Sequence, residues 1–201
     1  MERRAVRPRV LYFGTPVALV CTVNDDGTAG LAPISSVWAL GCLLVLGLGA
    51  TGQSARDLAA RPELVAGFPD ARDRSRVERP APLPGRDPVS SGKPPGTRFE
   101  ADKFATAGVG MRASQEAAPP RVAGCPLRSE ARAVRVEADG SGEHVVAQAQ
   151  VVRVHAGARM AVPGTGHVDP GLWTPLIYGF RHCFGLGRQR GRSYRSQTPE
   201  R

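Results

Sequence analysis

The stretch TPVALVCTVNDDGTAGLAPISS, residues 15–36, contains two apolar segments separated by a polar turn. Residues 15–23 are rich in β-branched side chains and predict a buried strand. The NDDG sequence at residues 24–27 is typical of turns that join antiparallel strands. The chain then returns through residues 28–40, a second predicted strand with an irregular centre at PISS, residues 33–36. This stretch therefore predicts an antiparallel hairpin.

The hairpin is followed by a third apolar segment. CLLVLGL, residues 42–48, is apolar on both faces and predicts a central strand, so the three strands together predict an antiparallel meander or barrel. A short helix is predicted over residues 54–61, with Ser54 and Asp57 forming an approximate capping box. Residues 64–68 predict a further strand.

The second half of the chain contains an irregular region and then a hairpin. Residues 70–118 are predicted as a long, irregular excursion, dense in Pro, Arg, Asp and Gly at its start. Residues 131–137 and 143–155 flank the turn sequence ADGSG and predict two paired strands. The apolar alternation changes phase after Val151, which predicts a β-bulge.

Length and composition indicate one domain. The chain has 201 residues, enough for one sizeable core, and its 24 Gly and 18 Pro suit a β-rich fold with many turns. We assign residues 1–187 to this domain and residues 188–201 to a solvated basic tail. No apolar run predicts a transmembrane helix, since residues 37–50 contain three glycines and are shorter than a membrane span.

The formal net charge of +9 admits an anionic partner. The positive residues are scattered arginines, apart from Lys93 and Lys103, and aromatic residues make up only 5% of the chain. A nucleic-acid partner is therefore not expected, because neither a basic block nor a stacking platform is visible. A membrane partner is not expected either.

The four cysteines are scattered and form no CxxC pair. This spacing predicts neither a zinc site nor a disulfide framework. Reduced thiols in a cytoplasmic protein are the simplest interpretation. His182 lies beside Cys183 without a legible acidic partner, so a packed or surface histidine is favoured over a catalytic one.

Two neighbouring segments carry the candidate binding chemistry. LAPISS, residues 31–36, is a polar break whose amides at Ser35 and Ser36 suit the edge of a planar heterocycle. GATGQSAR, residues 49–56, opens a helix with hydroxyl groups and an arginine, as a phosphate cradle does. On spacing alone, an ordinary Ser/Thr-capped helix after a bent strand is the favoured interpretation of both segments, and the binding interpretation stays open beside it.

The same residues resemble a known family. Residues 15–58 resemble the opening of the flavin reductase-like FMN-binding split-barrel family, in its flavoredoxin-type branch. The matching segments there are PVALV (16–20), DGT (26–28), LAP (31–33), SS (35–36) and SARDL (54–58). The resemblance resumes at PPRVA (119–123), CPL (125–127), HVDP (167–170) and PLIY (175–178). It therefore extends in order over most of the chain.

The resemblance implies a mainly β fold with short helices, an antiparallel split β-barrel of FMN-binding type. It implies a homodimer with FMN near the subunit interface and no metal. In such proteins the flavin, and not a side chain, carries the electrons. The implied activity is that of a flavin reductase, which passes electrons from NAD(P)H through FMN to free flavin or a small acceptor. The implied partners include a flavin-dependent monooxygenase or another redox partner.

The resemblance also implies eight cofactor-binding residues, while it leaves catalytic residues unassigned. Those expected at the isoalloxazine ring and ribityl chain are Pro33, Ile34, Ser35 and Ser36. Those expected around the phosphate are Thr51, Gln53, Ser54 and Arg56. The chain departs from the branch at Gly30, Gly67 and Gly179, where asparagine is common, which removes side-chain hydrogen bonds near the flavin.

Two other functions are compatible with the residues. One is a non-catalytic FMN-binding electron carrier with a protein redox partner, and the other is a basic nucleic-acid-associated β-barrel. The aromatic C-terminal segment, with Trp173, Tyr178 and Phe180, is predicted to contribute to the dimer interface.

Overall fold

The computed structural model describes residues 3–8, 11 and 13–199. The strands are β1 (Phe13–Pro16), β2 (Ala18–Val23), β3 (Ala29–Ile34), β4 (Val37–Leu40), β5 (Leu43–Gly49), β6 (Glu63–Phe68), β7 (Met111–Arg112), β8 (Arg121–Val122), β9 (Leu127–Ala138), β10 (His144–Ala156), β11 (Ile177–Gly179) and β12 (His182–Phe184). The α-helices are α1 (Gln53–Ala60), α2 (Arg74–Glu78) and α3 (Lys103–Ala107), with short 3-10 helices at Ala71–Asp73 and Pro170–Leu172.

Seven strands form one antiparallel sheet in the order β3-β2-β6-β9-β10-β5-β4. β3 and β4 follow each other in the chain but are the two edge strands of this sheet. The sheet therefore curls into a barrel that is open between them, because β3 and β4 do not pair. Smaller sheets, β1-β11-β12 and β7-β8, lie outside it. This arrangement is an antiparallel split barrel, which confirms the fold predicted from the sequence.

Successive side chains along a strand point into two different hydrophobic cores. Ala18, Val20 and Leu46 belong to the cluster inside the barrel, together with Leu64. Leu19 and Cys21 belong to a second cluster with residues of α3 and β11. This is the two-residue period of a strand buried on both faces, and each fully buried leucine contributes about 1.5–3 kcal/mol.

Several strands differ from the sequence prediction in their boundaries. The predicted strand 15–23 is divided into β1 and β2 at Val17, whose amide donates to Leu176 O at 2.8 Å. The predicted strand 28–40 is likewise divided into β3 and β4, and the break falls at Ser35 and Ser36 within the predicted irregular centre.

β5 lies inside the sheet, paired with β10 on one side and with the edge strand β4 on the other. One local prediction is wrong. The capping box is absent, since α1 begins at Gln53 with Gly52 as its N-cap and no side-chain cap bond. Asp57, the supposed partner in the box, is fully buried and bonds elsewhere.

The late hairpin is formed by β9 and β10, and the register of this pair shifts between Val151 and Arg153, as the predicted bulge requires. Residues 70–118 contain a 3-10 helix, α2, α3 and β7, whereas residues 79–102 contain no helix or strand. The predicted tail, residues 188–201, forms no helix or strand as far as residue 199, and residues 200 and 201 lie outside the described residues.

Among the residues with assigned positions, no helix is long and apolar enough to cross a membrane. Cys21, Cys42, Cys125 and Cys183 are free thiols. Burial raises the pKa of the Cys125 thiol to about 12 and also raises that of Cys21. These two thiols are therefore unreactive core residues.

Candidate cofactor site

A cavity of about 780 Å³ lies between β3, the start of α1 and residues 79–102. Its volume is within the range typical of cofactor sites. β3 reaches it because β3 is an edge strand, which pairs in the described part of the chain only with β2.

Seven of the eight predicted cofactor residues line this cavity: Pro33, Ile34, Ser35, Ser36, Thr51, Gln53 and Ser54. The eighth, Arg56, is not among the lining residues. Its Nη2 instead lies 2.8 Å from Oδ2 of Asp25, in an ion pair whose side chains are both more than half exposed. The structure thus brings together the two predicted segments, without this arginine.

Ser35 and Ser36 form the bend at the open seam of the barrel. The amide of Gly47 donates to Ser36 O at 2.7 Å, which holds the bend against β5. A Cβ at Gly47 would lie 2.9 Å from Cβ of Ser36, so the close approach requires glycine. The backbone edge of β3 beside this bend carries N–H and C=O groups that can pair with a ligand.

The first turn of α1 faces the same cavity. Because its N-cap is Gly52, no capping side chain competes for the first N–H groups of the helix. Thr51 and Ser54 add hydroxyl groups to the lining. A helix N-terminus with this exposure attracts a phosphate through its N–H groups and its dipole.

Three cations that the sequence analysis did not assign to the site also line the cavity: Arg86, Lys93 and Lys103. Nη1 of Arg86 donates to Thr51 O at 2.9 Å, which ties residues 79–102 to the helix start. The sequence contained one sign of these residues: the chain has just two lysines, and both of them line this cavity.

Lys103 is the least exposed of these cations. Its side chain is buried, with 6% of the residue exposed, and it makes no carboxylate ion pair within the described ranges. Burial, together with the neighbouring charge of Lys93, lowers the pKa of Lys103 to about 8. A buried ammonium group without a counterion favours an anion in the cavity.

A buried carboxylate lies under the cavity. Asp57 accepts hydrogen bonds from Oγ1 of Thr22 and from Nε2 of Gln53, each at 2.7 Å. Burial is the largest influence on this carboxyl and raises its pKa. A Cβ at Gly30 would lie 2.6 Å from Thr22 Oγ1, so glycine is needed beside this network.

Of the three glycine departures, only Gly30 lines the cavity. A Cβ at Gly67 would lie 3.0 Å from Sγ of Cys125, and one at Gly179 would lie 3.5 Å from the ring of Phe184. Of these three glycines, therefore, only Gly30 is placed where the missing side chain affects ligand binding directly.

The remaining candidates lie elsewhere. His182 is exposed and its ring lies beside that of Phe184, while Cys183 Sγ lies 3.8 Å from Oε1 of Glu78. Trp173 packs edge-on against Phe68. Within the described residues, no group of three His, Cys, Asp or Glu side chains is arranged to hold a metal ion.

Known proteins resemble this chain in both sequence and structure. Residues 10–187 match the family described as "Flavin reductase like domain". "Uncharacterized protein YdfE" of Bacillus subtilis (strain 168) is 32% identical over 197 residues, covering 97% of this chain and 95% of that protein.

Two solved structures share the fold. Flavoredoxin of Desulfovibrio vulgaris (Miyazaki F) has a TM-score of 0.77 at 15% identity, covering 98% of this chain and 100% of that one. The NADH:FAD oxidoreductase SgcE6 of Streptomyces globisporus C-1027 has a TM-score of 0.67 at 15% identity, covering 94% and 100%.

The open antiparallel barrel, with its cavity at the seam, defines a split-barrel protein of the flavin reductase type. The family match extends over most of the chain, and the chain belongs to the flavin reductase-like domain family.

Proposed function

We propose that this chain is an FMN-dependent oxidoreductase that takes electrons from NAD(P)H and passes them to free flavin or a small acceptor. One observation carries the proposal. The two predicted binding segments and three cations from a distant part of the chain surround a single cavity at the seam of the barrel.

The residues present fit an FMN. The β3 edge and the bend at Ser35 and Ser36 suit the polar edge of the isoalloxazine ring. The N-terminus of α1, with Thr51 and Arg86, suits the phosphate. When bound, the flavin supplies reversible electron transfer, and the protein supplies position and electrostatics.

Lys103 gives this site its charge selectivity. With a pKa of about 8 it is mostly protonated at neutral pH, and it faces a cavity from within the protein. An anionic group nearby stabilises that proton and is itself stabilised. We therefore assign Lys103 to the anionic part of the cofactor or of its reduced form.

The proposed electron donor is supported by the family and by one neighbour. The name of SgcE6 specifies NADH and FAD, and this supports a nicotinamide donor here. The rival function, a non-catalytic electron carrier, is supported by the flavoredoxin neighbour. The two proposals differ in whether a nicotinamide is consumed.

The test begins with the visible spectrum of the purified protein before and after addition of FMN. We expect flavin absorbance with one FMN per subunit. A colourless protein that leaves FMN fluorescence unchanged in a titration refutes both flavin proposals. Steady-state oxidation of NADH or NADPH then separates the reductase from the carrier, because a carrier does not turn over with the nicotinamide alone.

The assembly and the cellular context belong to the same proposal. Phe13 and Phe180 are exposed, and their rings meet edge-on at 6.0 Å. We propose that this pair lies in a homodimer interface, together with exposed parts of Tyr178 and Trp173. Sedimentation equilibrium that shows a stable monomer at micromolar concentration contradicts it.

We place the protein in the cytoplasm, where four free thiols stay reduced. A flavin-dependent monooxygenase or another redox protein is the proposed recipient of the electrons. Detection of reduced flavin transfer to such an enzyme in a coupled assay tests this part.

A further inference from the structure

An arginine cluster that the cofactor site does not use lies on the outside of the barrel, and it consists of Arg112, Arg121 and Arg128. Leu127 packs against the core inside the barrel and Ala131 belongs to that core, so the two-residue period places Arg128 on the opposite face of β9. In the sheet, β6 and β2 separate β9 from β3, the strand that borders the cavity. None of the three arginines lines that cavity, so the cluster is separate from the cofactor site.

Arg128 lacks a protein acceptor for its guanidinium. Within the described residues it takes part in no hydrogen bond and no ion pair, and its Nε is buried. Burial is the largest influence on this group and lowers its pKa, and the charges of Arg121 and Arg112 lower it further. A charged group withdrawn from water without a partner is costly, so this guanidinium favours an anion beside it.

Arg121 lies close to Arg128, next to a histidine. Nη1 of Arg121 lies 2.8 Å from Nδ1 of His155, and His155 is the cross-strand partner of Arg128 on β10. Cross-strand partners place their side chains on the same face, with Cβ atoms about 4.5–5.5 Å apart. Because a guanidinium can only donate, Nδ1 of His155 accepts this bond and the ring is the neutral tautomer with its proton on Nε2. The imidazole therefore adds no negative charge to the cluster.

Arg112 brings a third positive charge. It is the cross-strand partner of Arg121 in the β7–β8 ladder. Like charges directly opposite each other on paired strands are destabilising. Arg112 is exposed and forms no ion pair among the residues with assigned positions, so no carboxylate there offsets this repulsion.

The carboxylates near the cluster are already used. Glu130, with Oε1 at 3.9 Å from Nε of Arg121, is the one carboxylate that pairs with the cluster in the described ranges. Its oxygens also accept from three consecutive backbone amides and from Nε2 of His155. Glu116 is paired with Arg153 at 2.6 Å. Three guanidiniums thus face one carboxylate, and two positive charges have no counter-charge.

We propose that the arginine cluster binds a phosphate group, either that of inorganic phosphate or that of a phosphorylated small molecule. The two uncompensated positive charges match a phosphate dianion, and guanidinium groups donate to phosphate oxygens in pairs. Arg112 and Arg128 would supply the free N–H donors. Arg121 would supply charge, because its own donors are held by Ala113 O and by His155. The site does not depend on the flavin function proposed above.

The experiment measures thermal unfolding of the full chain in phosphate and in chloride at equal ionic strength, and phosphate binding by calorimetry. Phosphate should raise the Tm of wild type progressively, since a ligand that binds the folded state stabilises it by mass action. Arg128→Met should lose this response and bind phosphate about tenfold more weakly or worse. Arg135→Met is the matched control and should respond as wild type does, because Arg135 is an exposed arginine on the same strand, paired with Glu137.

The cofactor cavity contains cations of its own, and its affinity for phosphate is separated as follows. The titration uses FMN-loaded protein freed of excess FMN, whose cavity is already filled. If the chain binds no FMN, the double variant Arg86→Ala/Lys103→Met replaces it, because two cavity cations are then removed. The response of the cluster should persist in either protein, so a failure of the proposed function leaves this test intact.

Arg128→Met also has a signature that a structural arginine would not show. In chloride it should unfold at the same temperature as wild type or higher, since it removes a buried charge that has no partner. In phosphate the order should reverse. Arg112→Gln is the second variant, and because Arg112 is exposed it should fold normally while it weakens phosphate binding several-fold.

Methyl phosphate identifies the source of the phosphate group. Binding as tight as that of inorganic phosphate indicates a phosphorylated molecule, whereas much weaker binding indicates the free ion. The proposal is overturned if phosphate raises the Tm no more than chloride does, or if Arg128→Met responds to phosphate as wild type does. A lower Tm of Arg128→Met in chloride also contradicts it, because that result would show that Arg128 has a partner within the protein.

Discussion

Arg86 and Arg56 offer a matched pair of substitutions, since one arginine lines the cavity and the other forms a surface ion pair. Arg86→Ala removes a cation from the phosphate end of the site. A hydrogen bond to a charged group contributes about 1.5–3 kcal/mol, and each 1.4 kcal/mol is tenfold in affinity. Because Arg86 is only partly buried, we expect the lower end of that range, about tenfold weaker FMN binding.

The assay is a fluorescence titration of FMN and of riboflavin, which lacks the phosphate. Arg86→Ala should weaken FMN binding and leave riboflavin binding nearly unchanged. Arg56→Ala should change neither by more than about twofold, since exposed ion pairs such as that with Asp25 contribute little.

Two results would refute the reasoning. If Arg56→Ala weakens FMN binding and Arg86→Ala does not, the phosphate lies beside Arg56 at the start of α1, as the sequence resemblance implied. If Arg86→Ala weakens riboflavin as much as FMN, the lost contact is the one with Thr51 O, and the arginine positions residues 79–102 without binding phosphate.

Three further predictions concern charge and packing. FMN affinity should fall as pH rises through about 8, because Lys103 loses its proton there, and Lys103→Met should flatten that part of a pH titration. Glu130→Gln should destabilise the fold by about 3–5 kcal/mol in urea unfolding, because the buried carboxylate accepts from three consecutive backbone amides and from His155; a loss below 1 kcal/mol would contradict this. Gly30→Ala should destabilise by about 1–3 kcal/mol through its clash with Thr22 Oγ1, and Thr22→Ala in the same chain should recover part of the loss.

The fold was largely predictable because its determinants are local. The apolar pattern of residues 15–36 predicts two strands, and the NDDG turn between them predicts that they pair with each other. The same alternation could not locate the break at Val17, because that break depends on a bond to Leu176, far along the chain.

The site was predictable only where it lies on regular elements. Ser35 and Thr51 follow strands whose positions the pattern determines. Arg86 and Lys93 lie in a segment without helix or strand, so no periodicity indicates which way their side chains point. Arg56, in contrast, has the right position in sequence but lies on a face of α1 that pairs with the β2–β3 turn.

The position of β3 at an edge also affects how the protein behaves without its ligand. An edge strand presents backbone donors and acceptors that can add a strand from another molecule. Pro33 blocks one donor along β3, and residues 79–102 lie across the cavity that borders it. A ligand in the cavity would shield more of the same edge, so ligand-depleted preparations should aggregate sooner on storage than loaded ones, through intermolecular pairing along β3.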